Sequence, residues 1–106
     1  FPWIHWLAAN IPVGNIPENL RESGLAISGT NSTWHFVQKA NQPANPDINQ
    51  AYIGPMPPDK THDYTLTVFA LDTLLDLENG FFLNDFKRHS QGHILKAVTL
   101  ALPARA

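Results

Sequence analysis

The residues best suited to bind a small anion are a histidine and a tyrosine two positions apart, His62 and Tyr64. Residues 64–71 are rich in β-branched and aromatic side chains and lack glycine and proline, so they predict a β-strand. Alternate side chains of a strand share a face, so His62 and Tyr64 stand together if both lie in this strand. Imidazole N–H and phenol O–H groups donate hydrogen bonds to phosphate or carboxylate oxygens. The pair therefore predicts one wall of an anion pocket.

A third candidate, His5, lies in the apolar segment 1–12. This segment is apolar on both faces, which predicts a central strand covered on both sides and ended by Pro12 and Gly14. A lone histidine among large hydrophobic residues is more often a core residue with one backbone hydrogen bond than a ligand-binding residue. His5 becomes a ligand-binding residue only if another polar strand converges on it.

A stiff turn precedes the His62/Tyr64 pair. Three of the residues 55–58 are proline, which fixes the backbone, removes N–H donors and disfavours a helix. We expect this turn, beginning at Gly54 and Pro55, to form the rim of a small polar pocket on an apolar wall. The predicted ligand-binding residues are His5, Gly54, Pro55, His62 and Tyr64.

The composition excludes several function classes. The 106 residues suit a single domain, and seven Lys and Arg against nine Asp and Glu, without a basic run, argue against nucleic-acid binding. The absence of cysteine excludes a disulfide framework, thiol catalysis and cysteine-based zinc sites, and it suits a reducing, cytoplasmic location. No apolar run approaches the roughly 20 residues that span a bilayer, so no integral membrane segment is expected.

Enzymatic motifs are equally scarce. The chain has neither a Gly-x-Ser-x-Gly elbow nor a glycine-rich phosphate loop. His89 and His93 have the i, i+4 spacing of a helical metal pair, but Gly92 between them weakens a helix and no glutamate base accompanies them. The simpler interpretation is one histidine at a helix end and one in a turn. We therefore predict no metal and no cofactor.

The remaining segments form the predicted scaffold. Frequent Gly, Pro, Asn and Ser predict loop structure over 13–58, with short extended pieces at 25–27 and 33–37. Asn84 predicts the cap of a helix running to about His89, with Phe86 facing the core. A second helical segment is predicted from Ser90 through residue 98, followed by a final strand over 99–102 that Pro103 stops.

Six segments, in their order along the chain, also resemble the signatures of one known family: 3–6 (Trp-Ile-His-Trp), 9–12 (Ala-Asn-Ile-Pro), 52–58 (Tyr-Ile-Gly-Pro-Met-Pro-Pro), 62–64 (His-Asp-Tyr), 69–72 (Phe-Ala-Leu-Asp) and 92–95 (Gly-His-Ile-Leu). The chain resembles the phosphatidylethanolamine-binding protein family, and within it the bacterial, Raf-kinase-inhibitor-like branch. The resemblance implies a mainly β fold, in which a large antiparallel Greek-key sheet packs on a smaller sheet with one or two short C-terminal helices.

The resemblance also implies a site. The family's pocket binds phosphate, phosphorylated head groups or acetate-like anions, and its histidines, tyrosine and loop residues correspond to His5, His62, Tyr64, Gly54 and Pro55. A homodimer is expected from the bacterial branch.

The chain departs from the family pattern at three points. The family's Asp-Pro-Asp-x-Pro signature, which precedes the first matched strand, is absent, Asp63 stands where arginine is common, and the C-terminal Tyr and Arg are reduced to Arg105. We therefore expect residues 1–106 to form one domain of this type that lacks an N-terminal segment, with that segment as a possible partner fragment.

The preferred function from these residues is non-catalytic binding of a small phosphate- or carboxylate-bearing ligand. Two alternatives stay open. One is a regulatory inhibitor that binds a kinase or protease through the pocket and the loop 28–58. The other is a phosphate-ester or ester hydrolase with His62 as acid and base, although no nucleophile accompanies it.

Overall fold

The structure, a computed structural model, describes residues 3–14, 16–53 and 62–104. This part of the chain contains two two-stranded antiparallel sheets and four short helices. In chain order the elements are β1 (Ala8–Ala9), α1 (Leu20–Ser23), β2 (Ile27–Ser28), α2 (Trp34–Lys39), α3 (Pro46–Asn49), β3 (His62–Leu71), α4 (Leu83–Ser90) and β4 (Ile94–Ala104).

The longest elements are β3 and β4, which pair to form one antiparallel ribbon. The predicted strand at 64–71 is confirmed as β3. The predicted helix from Ser90 through residue 98 is wrong, because residues from Ile94 onward form β4. The apolar spacing of this segment suits either a helix or a strand, and pairing along the whole length of β3 decides for the strand.

Proline does not stop the last strand, contrary to the sequence-based expectation. Pro103 lies within β4 opposite Asp63. In the described part of the chain β4 pairs only with β3, so its other edge needs no N–H from Pro103.

The segment around His5 is extended, but it is not the central strand that the sequence predicts. Only Ala8–Ala9 forms a strand, paired with β2, and Trp3 and Trp6 are exposed. Three of its carbonyls accept backbone hydrogen bonds from two other segments: Ile4 and Leu7 accept from Ser32 and Gly29 in the stretch after β2, and His5 accepts from Ile53. The backbone is therefore held by two irregular segments rather than by two neighbouring strands.

Residues 13–53 contain three helices, where the sequence predicts loop with extended pieces. The segment 33–37 mostly belongs to α2, whereas the piece predicted at 25–27 overlaps β2 at Ile27. The side chain that connects the helices of this region is Asn31, which is 2% exposed. Its side-chain amide donates to the carbonyls of Ile48 and Ala51 and its oxygen accepts from the Thr33 N–H. One buried side chain thus links the start of α2 to the end of α3.

A second asparagine joins the first segment to the connector after β3. Asn10 adopts φ of +58°, and its side chain donates to the Leu75 carbonyl at 2.9 Å and accepts from the Leu75 N–H at 2.8 Å. The Asn10 side chain therefore makes the two hydrogen bonds to Leu75 that the backbone of a neighbouring strand residue would make. The buried hydrophobic residues of the described chain are Ala9, Leu20, Leu75 and Phe81.

The predicted C-terminal helix is confirmed as α4, although its N-terminus differs in detail. The helix begins at Leu83, and the Phe82 N–H donates to the Asp85 carboxylate at 2.9 Å, so Asn84 is not the capping residue. Phe86 packs on Phe69 of β3, with ring centroids 5.2 Å apart. This contact fixes α4 on one face of the ribbon.

The fold class agrees with the expected mixture of sheets and helices, but the domain is not purely β. Three of its described helices precede β3, rather than following it. The Greek-key order stays a prediction, since two separate two-stranded sheets do not define one. Within the described ranges, no helix has both the length and the apolar character needed to cross a bilayer.

Candidate functional site

The imidazole of His5 is oriented by a backbone carbonyl. Its Nδ1 atom lies 2.9 Å from the Ile53 oxygen. A carbonyl oxygen only accepts hydrogen bonds, so Nδ1 carries the proton. In the neutral ring the remaining nitrogen, Nε2, is then an acceptor, and it becomes an N–H donor when the ring is protonated. The hydrogen bond to Ile53 therefore engages Nδ1 and does not involve Nε2.

The same imidazole contacts Tyr64. The two ring centroids are 5.2 Å apart and the ring planes meet at 82°, which is an edge-to-face arrangement. Tyr64 belongs to β3, and its cross-strand partner is Leu102. Both His5 and Tyr64 are half-buried, so polar atoms of the pair are partly shielded from water without being sealed.

The structure thus brings together two of the five predicted site residues. Gly54 and Pro55 lie outside the described residues. His62 is described for its backbone, which pairs with Ala104 in the ribbon, whereas its side chain lies outside the described part. Ile53, which directly precedes Gly54, contacts His5, and Tyr64 lies two residues after His62. Both described flanks of the proline turn therefore meet at the His5/Tyr64 pair.

Sequence reasoning missed the residue that orients His5. An Ile53 carbonyl is a backbone acceptor, and no side-chain pattern reveals which carbonyl a histidine will use. Reasoning also missed that Trp6 and Tyr52, the neighbours of His5 and Ile53, form a second edge-to-face pair with centroids 6.0 Å apart. The sequence does show an aromatic residue next to each partner of the His5–Ile53 hydrogen bond, since Trp6 follows His5 and Tyr52 precedes Ile53.

A separate shallow cleft lies beside α4. Its volume is about 310 Å³, and its polar lining includes Asp76, Glu78, Asp85 and His89. Three carboxylates disfavour an anion there, so this cleft does not compete with the His5/Tyr64 pair as an anion site.

The histidines considered as a metal pair are not on one helix. His89 lies in α4, which ends at Ser90, and His93 precedes β4 with its Nδ1 2.8 Å from an Asp72 carboxylate oxygen. Among the residues that the structure describes, no three His, Asp or Glu side chains are grouped to hold a metal ion.

Two small antiparallel sheets, four short helices and an imidazole–phenol pair at the end of a ribbon define a fold of mixed α and β structure in the described part of the chain. Comparison with known proteins agrees. The family model described as phosphatidylethanolamine-binding protein matches residues 1–104, and the chain belongs to this family. The resemblance drawn from the sequence motifs is thereby confirmed.

Individual relatives support the same assignment. The uncharacterized protein YxkA of Bacillus subtilis is 45% identical over 109 residues, covering 99% of this chain and 63% of YxkA. A UPF0098 protein of Methanothermobacter thermautotrophicus is 35% identical over 95 residues, covering 88% of this chain and 56% of that protein. A crystal structure of a phosphatidylethanolamine-binding protein homolog from Chlamydia trachomatis superposes with a TM-score of 0.73 at 27% identity, covering 98% of this chain and 59% of the other. The chain thus spans about three fifths of the length of these relatives.

Proposed function

We propose that this chain binds a small phosphate- or carboxylate-bearing ligand at the His5/Tyr64 pair, without catalysing a reaction. The observation that carries the proposal is the pairing of the Tyr64 ring with an imidazole whose Nδ1 is already engaged by Ile53. Gly54, Pro55 and His62 are proposed to complete the pocket, because they adjoin Ile53 and Tyr64 in the chain.

The chemistry of the pair favours an anion over a cation when His5 is protonated. The Ile53 carbonyl holds the Nδ1 proton, so protonation occurs at Nε2 and creates a charged N–H donor there. A charge-assisted hydrogen bond from imidazolium to an oxyanion is stronger than a neutral one. The Tyr64 hydroxyl supplies a second donor from the same side of the ribbon.

Partial burial increases the strength of both bonds. His5 and Tyr64 are half-buried, and electrostatic attraction grows as the local dielectric constant falls below that of water. These features suit reversible recognition of a single phosphoryl or carboxyl group.

The family assignment supports ligand binding in general terms. The family is described by a phosphatidylethanolamine-binding activity, and the head group of that lipid presents phosphodiester oxygens. We propose the same oxyanion chemistry for this chain, without transferring the identity of the lipid.

Sulfate is the sharpest probe of this proposal, because its charge stays constant over the range in which histidine titrates. We expect calorimetry at about pH 5.5 to show sulfate binding that weakens roughly tenfold or more in His5→Gln, the loss of one charged hydrogen bond. His62→Ala should weaken binding as well. The matched control is His35→Gln, which removes an exposed imidazole from α2 and should leave affinity unchanged. Equal losses in all three variants would show that the pocket is elsewhere, and no sulfate binding by the wild type would contradict the proposal.

A further inference from the structure

The turn at Asn79 and Gly80 places a side-chain amide next to a backbone nitrogen that can react with it. Asn79 is the only asparagine in the sequence that glycine follows. In such a pair the glycine nitrogen can attack the side-chain amide carbon of the asparagine, because glycine has no Cβ to obstruct the approach. Asn79 is also exposed, so water and hydroxide reach its side chain. Neighbouring residues therefore provide both an electrophile and a nucleophile.

In the folded protein both reacting groups are bound by one residue, Ser28 of β2. The Ser28 N–H donates to Asn79 Oδ1 at 2.9 Å, and the Ser28 carbonyl accepts from the Gly80 N–H at 2.7 Å. The reaction requires the Gly80 nitrogen to lose its proton and to approach the Asn79 side chain. A carbonyl oxygen accepts a hydrogen bond without removing the proton, so the Ser28 contact opposes both requirements.

Further contacts keep this turn in place. The Thr30 hydroxyl donates to the Gly80 carbonyl at 2.8 Å, and the Thr30 N–H donates to the Phe81 carbonyl at 2.7 Å. Phe81 is buried, and its ring lies so close to Gly29 that a Cβ added there would come within 2.8 Å of it. The Gly80 nitrogen is therefore released only when several hydrogen bonds and a packed contact break together.

We propose that Asn79 is a site of spontaneous deamidation, and that the contact with Ser28 slows the reaction in the folded protein. When the contact opens, the Gly80 nitrogen loses its proton to hydroxide and forms a bond to Asn79 Cγ. The Cγ–Nδ2 bond breaks, ammonia leaves, and a cyclic succinimide results. Water then adds to either succinimide carbonyl and breaks its bond to the ring nitrogen, which gives aspartate or isoaspartate.

Both products change the surroundings of the turn. Asn79 lines the cleft beside α4 together with Asp76, Glu78 and Asp85, so the new carboxylate joins three others, and like charges held close together repel. Isoaspartate also lengthens the backbone by a methylene group, so the two hydrogen bonds to Ser28 cannot both keep their geometry. Deamidation therefore weakens the contact that slows it.

Peptide mapping by mass spectrometry measures conversion of Asn79 at mildly alkaline pH, and enzymatic methylation marks the isoaspartate product. The whole chain is incubated once folded and once in denaturant. We expect conversion to be at least tenfold slower in the folded chain, because the reaction proceeds from the open state. Equal rates in the two conditions would overturn the proposal. Absence of conversion in denaturant would overturn it as well, because Asn79 would then not be a reactive site.

The variant Thr30→Val tests which contact slows the reaction, because it removes the hydroxyl bond to Gly80 and leaves the reacting residues unchanged. We expect it to convert about fivefold faster than the wild type when folded, from the loss of one hydrogen bond, and at the same rate in denaturant. The matched control is Thr67→Val, which alters the exposed hydroxyl pair of the ribbon and should convert at the wild-type rate. Circular dichroism checks that both variants fold. Equal folded rates for Thr30→Val and the control would contradict protection by this contact.

Discussion

The rings of His5 and Tyr64 meet edge to face, with an angle of 82° between their planes, although the two residues lie on different segments of the chain. The contact forms because the His5 imidazole is held by the Ile53 carbonyl while Tyr64 is held by the β3–β4 register. Neither residue needs the other for its own position. The pair is therefore preorganised, and a ligand that binds between these donors does not have to order them.

The first prediction concerns pH. Because Nδ1 of His5 donates to Ile53, an anion gains a donor at Nε2 only when the ring is protonated. Binding is then coupled to uptake of a proton, so affinity for sulfate should rise as pH falls, by up to about tenfold per pH unit. Calorimetry between about pH 8 and about pH 5.5 measures this slope. A flat profile for the wild type contradicts the proposed site.

The second prediction separates the hydroxyl of Tyr64 from its ring. Tyr64→Phe keeps the edge-to-face contact with His5 and removes one donor, so sulfate affinity should fall roughly fivefold, about 1 kcal/mol, with little change in thermal stability. The control is Tyr52→Phe, which removes an exposed hydroxyl from the Trp6 pair and should leave affinity unchanged. Unchanged binding in Tyr64→Phe would remove the phenol from the site.

The third prediction concerns Asn10. Asn10→Gly preserves the positive φ but leaves the N–H of buried Leu75 without its partner, whereas the Leu75 carbonyl still accepts from the Leu77 N–H, so the free energy of unfolding should fall by about 1–2 kcal/mol. Asn10→Ala should cost about 1 kcal/mol more, because alanine is strained in the left-handed region. Denaturant titration measures both changes. Asn41 has φ of +53° and is exposed, so Asn41→Gly should be nearly neutral, and an equal effect at both positions would contradict this account.

The fourth prediction concerns the buried Asn31. Asn31→Asp replaces the amide that donates to the Ile48 and Ala51 carbonyls with a carboxylate facing two acceptors, and it buries a charge. The free energy of unfolding at neutral pH should fall by about 3 kcal/mol or more. Acidification should partly restore stability, because protonation removes the charge and returns one donor. Asn84→Asp, in the exposed first turn of α4, is the control and should be neutral or slightly stabilising.

Local patterns predicted some elements correctly and others not. The β3 strand was predictable, because an uninterrupted β-branched run favours one structure. The α4 helix was also predicted correctly, although from a cap at Asn84 that the structure does not use. The β4 strand was not, since Ile94, Leu95 and Val98 suit either structure until β3 supplies backbone partners. The helix α2 was missed for a related reason, as its Trp, Phe and Val residues have high strand propensity.

The candidate site was predictable only in part. The motifs placed His5 and Tyr64 in one proposed pocket, and the structure brings their rings together. The role of His5 was open between a core histidine with one backbone bond and a ligand-binding residue. The structure shows the backbone bond at Nδ1, whereas the ligand-binding role through Nε2 stays a prediction. Their part in ligand binding stays a proposal, as do the parts of Gly54, Pro55 and His62.

The amino-acid sequence by itself determined the family, the strand β3 and the residue types available for binding an anion. These follow from local preferences and from motifs that are read along the chain. Only the tertiary structure decided which nitrogen of His5 is committed to Ile53, which strand pairs with β3, and how Asn10 and Asn31 make side-chain hydrogen bonds to distant backbone groups. Each of these depends on hydrogen bonds between residues far apart in sequence. The sequence does not show which partner a backbone N–H or carbonyl group will bind.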